Sequence, residues 1–409
     1  MRYVIIGNSA AGIGAVEGIR QLDTQGEITI ITDEPHHTYS RPLISYLLRG
    51  KVSEESMKYR DSSFYSSNCC TLLRGATVTE ISAEDKLVTL ADGRRIHFDK
   101  LLVATGSSPF VPPFEGLETV KCKYTFMNLD DARELNKALD KNKRVLIIGA
   151  GLIGLKCAEG IIDRAAKITV VDMAPRVLSS ILDEEGARLV QTHLESKGID
   201  FRLSGSVKSF SGSTAVMDDG EEIGFDVLVL AVGVRPNTAL LKGIVEIDRG
   251  IKINAKSETS AAGIYAAGDC TETLDVSSGQ SRIMALLPNA YMQGECAGIN
   301  MAGGAKAFDK AIPMNAIAFL GLHIITAGNY NGEVYAESGN GDYKRLFHSG
   351  NRLNGYILIG NVEKAGIYTS LIRERTPLDE LDFALVCEKP GLMAFSKADR
   401  IIKLGGQVK

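Results

Sequence analysis

Apolar residues along the chain gather into short runs that are closed by glycine and followed by segments of helical composition. Tyr3-Val4-Ile5-Ile6 and Val145-Leu146-Ile147-Ile148 are two such runs. Unbroken apolar runs of this length predict strands buried on both faces, as in a parallel sheet. Each ends in a glycine-rich turn, Gly7-Asn8-Ser9-Ala10-Ala11-Gly12 or Gly149-Ala150-Gly151-Leu152-Ile153-Gly154. The turns open onto predicted helices, Ile13 to Leu22 and Leu155 to Ile162. A further apolar run then ends in an acid: Ile28-Thr29-Ile30-Ile31-Thr32-Asp33 in the first case, Ile168-Thr169-Val170-Val171-Asp172 in the second. The strand–turn–helix–strand unit therefore occurs twice.

The rest of the pattern supplies the frame around these units. Leu87-Val88-Thr89-Leu90 and Arg95-Ile96-His97-Phe98 flank Asp92-Gly93, which favours a hairpin turn. Lys100-Leu101-Leu102-Val103-Ala104 reads as a buried strand stopped by Thr105-Gly106-Ser107-Ser108-Pro109. Pro109, Pro112 and Pro113 stiffen an exit from the first domain. Asn128 to Leu139 reads as a helix. The same design recurs downstream, where Asp219-Gly220 marks a hairpin and Phe225 to Ala231 is a buried strand stopped at Gly233-Val234-Arg235-Pro236-Asn237. Gly263 to Cys270 reads as a strand and a tight acidic turn, followed by a helix from Asn289 to Met301 rich in small residues. From about Ala307 the pattern changes to strand-like runs, Tyr343 to Phe347 and Gly355 to Ile359, and a helix near Gly366 to Arg373. The expected fold class is α/β, with two Rossmann-like dinucleotide-binding domains and a C-terminal α+β domain.

The doubled unit carries chemistry. Glycines let the backbone approach a pyrophosphate, whose charge sits at the helix N-terminus, and the acid roughly 20 residues on can hydrogen-bond a ribose diol. Two complete copies predict two dinucleotide sites. Arg41, in Tyr39-Ser40-Arg41-Pro42-Leu43 ahead of a helix at Ile44 to Leu48, is a natural pyrophosphate partner because its planar fork bridges phosphate oxygens; the alternative is a solvated loop arginine.

Composition narrows the classes. The 409 residues suit two or three domains, and 44% apolar with 23% charged content is ordinary for a globular protein. A net charge of −4 gives no reason to expect nucleic acid. Met1 leads almost directly into a strand, so no signal peptide is expected. The longest apolar stretch, Ala316 to Ala327, is broken by Gly321 and His323 and too short to span a bilayer. Seven scattered cysteines without a CxxC suggest reduced thiols in the cytoplasm. No HxH, HExxH or cysteine cluster points to a metal.

In this order the motifs resemble the pyridine nucleotide–disulfide reductase superfamily of two-dinucleotide-binding-domain flavoproteins. The marks are Gly7 to Gly12 with Asp33-Glu34, Ala104-Thr105-Gly106, Gly149 to Gly154 with Asp172, Ala231-Val232-Gly233 with Pro236-Asn237, and Ala267-Gly268-Asp269. They cover about the first 300 residues. The resemblance implies that the first unit holds FAD and the second, inserted into the FAD domain, holds NAD(P)H. The FAD domain would comprise 1–115 and 236–306, the NAD(P)H domain 116–235, and a C-terminal α+β domain 307–409. It also implies FAD contacts from Gly7, Ser9, Ala10, Ala11, Gly12, Asp33, Glu34, Arg41, Pro42, Ala104, Thr105, Gly106 and Gly268. Val78 would meet the adenine, Asp269 the ribityl–phosphate region, and the helix carrying Ala290, Gln293 and Gly294 would run under the isoalloxazine. For NAD the expected residues are Gly149, Gly151, Leu152, Ile153, Gly154, Asp172, Arg176, Val232 and Gly233. Within the superfamily, Tyr39-Ser40-Arg41-Pro42 and Leu358-Ile359-Gly360-Asn361 look most like NADH:rubredoxin oxidoreductases, ferredoxin reductases and the flavoprotein part of assimilatory nitrite reductases.

Two positions depart from the superfamily. Ser9 replaces the middle glycine of the first turn; it is small enough, and its hydroxyl could bond a phosphate. Lys156 stands where relatives usually place a glutamate near the flavin–nicotinamide contact. It either pairs with Glu159 one turn on or acts as a cation that raises the flavin potential, where about 1.4 kcal/mol corresponds to about 30 mV.

Disulfide reductases of the superfamily need a thiol against the flavin, and 13–68 contain none. Cys69-Cys70 lie outside the motif position; Cys157 reads as packing, and Cys270 has no partner in sequence. His36-His37 reads as a surface loop beside the adenosine end. The implied activity is hydride transfer between NAD(H) and FAD, with electrons passing to or from a rubredoxin, a ferredoxin or an iron–sulfur subunit. NADH is expected over NADPH because Asp172 would repel a 2′-phosphate, although Arg176 works against this. An NADH oxidase and a redox-sensing or assembly subunit are the other readings. The C-terminal domain resembles modules that cover the flavin and often form dimers, so a homodimer is an expectation of the same kind.

Overall fold

In a computed structural model, which describes residues 1–339 and 341–396 together with 398, 400, 401 and 404, each glycine-rich unit sits in its own parallel sheet. The first sheet runs Ile264–Ala266, Lys100–Val103, Arg2–Ile6, Glu27–Thr32, Cys70–Arg74. Ile5 lies opposite Ile30 on one side and Leu102 on the other. The second runs Ile199–Leu203, Lys167–Asp172, Arg144–Ile148, Val227–Leu230, Lys123–Tyr124, with Ile147 opposite Val170 and Val229. Ile5, Ile30, Leu102, Ile147, Val170 and Val229 have no exposed surface, as expected of strands covered on both faces.

The two sheets are stitched by the same devices. Arg2 N and Arg144 N, at the starts of equivalent strands, donate to Asp99 Oδ2 (2.7 Å) and Asp226 Oδ2 (2.8 Å). At the other ends, Ala104 N and Ala231 N donate to the carbonyls of Ile6 and Ile148, both at 2.8 Å. The similarity of the two apolar patterns is therefore matched bond for bond.

Helix α1 (Ala10–Arg20) follows the first turn, and α2 (Ile44–Leu48) follows a single 3₁₀ turn at Arg41–Leu43. Helix α3 (Leu129–Ala138) is capped by Asn128, whose side chain accepts from Asp131 N. Helix α4 (Leu152–Ile161) follows the second turn. Helix α5 (Leu287–Met301) lies across α1, backbone against backbone. A Cβ on Gly14 or Gly18 would come within 2.3 Å of the carbonyls of Tyr291 and Glu295. One on Gly294 or Gly298 would come within 2.0 and 2.2 Å of those of Ala11 and Ala15. The small residues of α5 are thus the condition for its approach to α1.

The chain leaves and re-enters the first sheet region through a two-stranded antiparallel ribbon, Ser107–Pro109 against Val234–Pro236. The molecule consists of two compact units, Met1–Glu272 with Leu287–Phe308, and Thr273–Leu286 with Asp309–Lys409. The second unit has an antiparallel sheet ordered Met314–Phe319, Leu322–Gly328, Arg352–Ile359, Asp342–Ser349, Glu333–Gly339. Tyr356 of this sheet hydrogen-bonds Thr369 on the helix Ala365–Arg373 at 2.7 Å. The apolar stretch Ala316 to Ala327 is a hairpin, turned at Leu320 and Gly321 with φ of 49° and 96°. No helix among the described residues is long and apolar enough to cross a membrane.

Candidate active site

Both glycine turns have the geometry that a pyrophosphate requires. Gly7 and Gly149 have φ of 117° and 116°, and an added Cβ would lie 2.1 and 2.2 Å from the carbonyl oxygens of Ala104 and Ala231. A Cβ on Gly12 or Gly154 would lie 2.1 or 2.0 Å from the carbonyl oxygen of Gly7 or Gly149. No side chain could be accommodated without opening the turn. Ser9 and Gly151 begin α1 and α4 in extended backbone, with no side-chain cap bond at either. The first amides of each helix are left for a ligand, at the positive end of the helix dipole.

Beside the first turn lies a cleft of about 490 Å³, a size ordinary for a bound small molecule. It is lined by Gly7, Ser9, Ala10, Ala11, Asp33, Glu34, Arg41, Val78, Ala104, Thr105, Gly106, Gly268, Asp269 and Ala290. These come from separate stretches of the sequence. Of the residues expected at FAD, Gly12, Pro42, Gln293 and Gly294 do not line it: Gly12 packs behind the turn, Pro42 lies in the short helix that carries Arg41, Gln293 Oε1 accepts from Gly268 N at 2.6 Å, and Gly294 packs on Ala11. Gly268, with φ of 85°, would place a Cβ 3.3 Å from that of Ala11, so the floor stays open only for glycine.

Polar groups converge along the wall. Arg41 pairs with Glu34, and the Tyr39 hydroxyl donates to Glu34 Oε2 at 2.7 Å. The same hydroxyl accepts from Leu129 N at 2.9 Å, tying this wall to the start of α3. Ser107 Oγ donates to Asp269 Oδ2 at 3.2 Å. Burial raises the Asp269 carboxyl above the ordinary aspartate range, against the opposing pull of Ser107 and Arg41. His37 Nε2 and Thr38 Oγ1, in residues that line the cleft, are buried without a hydrogen-bond partner among the described residues. A glycine-floored cleft with one arginine, acids at one end and unsatisfied polar atoms fits an adenine dinucleotide.

At the second turn, Asp172 Oδ2 accepts from Ala150 N at 2.6 Å and Oδ1 from Ala174 N at 2.7 Å. The carboxylate thus pins the loop after its strand to the turn, and Leu178 N adds a bond to the Ala150 carbonyl at 2.9 Å. Each carboxylate oxygen retains a lone pair for a ribose hydroxyl. Arg176 lies in this loop, its Nε buried without a partner among the described residues. Leu152 and Ile153 begin α4, Gly151 has open space where a Cβ would be, and Val232 and Gly233 follow the strand Val227–Leu230. Gly233 has φ of 109°, and its carbonyl accepts from Phe110 N at 2.9 Å across the ribbon.

Lys156 pairs with Glu159, one turn on, and its Nζ lies 4.5 Å from the centre of the Tyr46 ring on α2. It joins α4, the helix after the second turn, to α2 and does not line the cleft. Among the described residues no cysteine lines the cleft. Cys157 and Cys270 are wholly buried, and burial pushes the Cys270 thiol up to about 11. Cys69 and Cys70 are free thiols at the start of an outer strand. His36 pairs with Asp130 at 2.9 Å, again joining the first unit's loop to α3. Among the described residues no three His, Cys, Asp or Glu side chains are grouped to hold a metal.

The sequence pattern missed several lining residues: Ser107, Met127, Asn128, Asn237 and Leu287. Asn237 counted only as part of a motif, and the others fall on no period or spacing. They reach the cleft through the ribbon and through the start of α3 and α5, which only the fold brings together.

Comparison with known proteins agrees with this geometry. Residues 1–294 match the family model described as pyridine nucleotide-disulphide oxidoreductase, and 313–376 match that of the rubredoxin NAD+ reductase C-terminal domain. The chain is 31% identical over 394 residues to the NADH-dependent phenylglyoxylate dehydrogenase subunit epsilon of Aromatoleum evansii, covering 93% of each. It is 31% identical to the assimilatory nitrate reductase electron transfer subunit of Bacillus subtilis (strain 168), over 91% of this chain but 49% of that one, so it spans about half of that relative. In fold it resembles the chain solved in the covalent putidaredoxin reductase–putidaredoxin complex, with a TM-score of 0.87, 24% identity, and 95% and 96% coverage.

Proposed function

The chain belongs to the pyridine nucleotide-disulphide oxidoreductase family, whose members use FAD and NAD(H), and from that premise we propose that it carries electrons between NAD(H) and a small iron protein or iron–sulfur subunit. The observation that carries this reading is the pair of complete nucleotide turns, the first of them beside a cleft with no thiol in its described wall. Hydride then has a route from nicotinamide to flavin, and no redox disulfide stands next in line. Bound FAD accepts two electrons together and releases them singly, which suits an iron centre. The C-terminal match to a module of rubredoxin NAD+ reductases points the same way.

In this reading the first cleft would hold FAD, with the amides of Ser9 to Gly12 and the Arg41 guanidinium taking its pyrophosphate. Glu34 and Asp33 face the adenosine ribose, and Asp269 the ribityl–phosphate region. Gly149 to Gly154 would hold NAD(H), with Asp172 taking its adenosine ribose and disfavouring a 2′-phosphate. The FAD part is assigned to 1–115 and 236–306, the NAD part to 116–235, and the C-terminal part to 307–409, with Thr273–Leu286 departing from these bounds by packing into the C-terminal unit. The protein's own work is alignment and exclusion of water rather than proton transfer. Seven free cysteines suit a reducing compartment such as the cytoplasm, and the C-terminal module suits a homodimer.

Anaerobic reduction by NADH followed by addition of rubredoxins and ferredoxins tests the acceptor. An iron protein should restore the flavin colour within seconds, and NADPH should be needed at higher concentration than NADH for the reduction. Reoxidation by oxygen alone would contradict the acceptor, and a preference for NADPH would contradict the role of Asp172.

A further inference from the structure

Asn237 sits where the ribbon returns to the first sheet, and it closes that ribbon with four hydrogen bonds. Its Nδ2 donates to the Thr105 carbonyl at 2.9 Å, and its own carbonyl accepts from Thr105 Oγ1 at 2.7 Å. Its Oδ1 accepts from Ser108 Oγ at 2.8 Å, and its N donates to the Gly106 carbonyl at 2.9 Å. Together they lock Thr105 to Ser108, the start of the outgoing strand, against the end of the incoming one. The next ribbon residue, Ser107, donates to Asp269 across the cleft. Asn237, Thr105, Ser107 and Asp269 all line that cleft.

We propose that Asn237 is a positioning residue for hydride transfer, its side chain fixing the angle at which the ribbon hangs the NAD-binding part on the FAD-binding part. The proposal rests on the two-nucleotide reading above. The chain crosses between the two parts at this ribbon in both directions, and the second crossing, Val234–Pro236, is only three residues long. A small rotation of the ribbon is magnified over the length of the second sheet. Hydride transfer needs reacting atoms held about 3–3.5 Å apart, and a misplacement near 1 Å can cost about a hundredfold in rate. A polar side chain that joins both strands at the pivot controls that distance without touching either cofactor's reacting atoms. Aspartate has the same shape but cannot donate to the Thr105 carbonyl, so it isolates the Nδ2 bond from the packing of the side chain.

The test uses the FAD-loaded wild type, Asn237→Ala and Asn237→Asp in anaerobic stopped flow with NADH, together with FAD and NAD+ affinities. Amide hydrogen exchange over 105–109 and 234–237 in the cofactor-free protein is a readout that does not depend on turnover. Both variants, compared at saturating FAD because Asn237 lines that cleft, should keep NAD+ affinity within about twofold. They should lose at least tenfold in the limiting rate of flavin bleaching, and exchange in the ribbon should quicken at least tenfold. Ribbon exchange that quickens while the limiting rate stays within twofold of wild type would overturn the positioning role. Unchanged exchange would overturn the clasp itself. Wild type that fails to bind FAD or to bleach would instead remove the functional reading beneath it.

Discussion

Gly294→Val should yield little folded protein, and what folds should not retain FAD. The Cβ of any residue at this position would stand 2.0 Å from the Ala11 carbonyl oxygen and 2.8 Å from the Ala11 Cα. Both belong to the backbone of α1, so no side-chain rotation relieves the clash. Overpacking of a filled core ordinarily costs about 1–3 kcal/mol, and a backbone-to-backbone clash within a helix pair belongs at or above the top of that range. Relief requires α1 and α5 to separate. Ala11 on one and Ala290 on the other both line the cleft, so separation also spoils the site. Thermal melting and the ratio of flavin to protein after purification check this. A variant that melts like wild type and stays yellow would mean that the two helices are not held backbone against backbone.

Gly154→Val should give the opposite phenotype: a stable, yellow protein that NADH does not bleach. Here the Cβ would stand 2.0 Å from the carbonyl oxygen of Gly149, inside the second turn, and 3.4 Å from the Ala231 Cβ. The turn must open, which moves the amides of Gly151 and Leu152 away from the position a pyrophosphate would take. The first sheet and cleft are built from other residues, so FAD affinity should stay within a few-fold. The limiting rate of bleaching by NADH should fall at least a hundredfold, the loss expected when both orientation and pyrophosphate contacts go. Anaerobic stopped flow checks it. Normal bleaching would mean that nicotinamide reaches the flavin by another route.

The contrast between these variants shows which parts of the molecule are legible in its sequence. The strands Tyr3 to Ile6 and Val145 to Ile148, their turns and their helices can be read because three independent signals coincide: an apolar run, glycines at fixed spacing and a terminal acid. Asp172 is legible as an acid at the right place, but not as the clamp on Ala150 and Ala174, since backbone acceptors and donors leave no mark in composition. The small residues of α5 are visible, whereas their partner, α1, is fixed only by packing between residues some 280 positions apart. Non-local packing of this kind has no period. The same holds for Thr273–Leu286, which belongs to the C-terminal unit although it lies between stretches of the first.

Lys156 illustrates the limit on chemistry. Its pairing with Glu159 follows from helical spacing, while its place over the Tyr46 ring depends on how α2 meets α4. That meeting is close: a Cβ on Gly160 would lie 2.9 Å from the Ser45 carbonyl oxygen. The cleft shows the same division. Its glycines and acids are motif residues, but Ser107 and Asn237 enter it because the ribbon passes beside Asp269.

The proposed function depends on two dinucleotides binding together and on hydride passing between them. Anaerobic titration of the purified, FAD-loaded protein with NADH tests it most directly. The visible flavin band should be lost with one NADH consumed per FAD, within seconds, and should return when an oxidised iron protein is added. A flavin band that persists in excess NADH would contradict it.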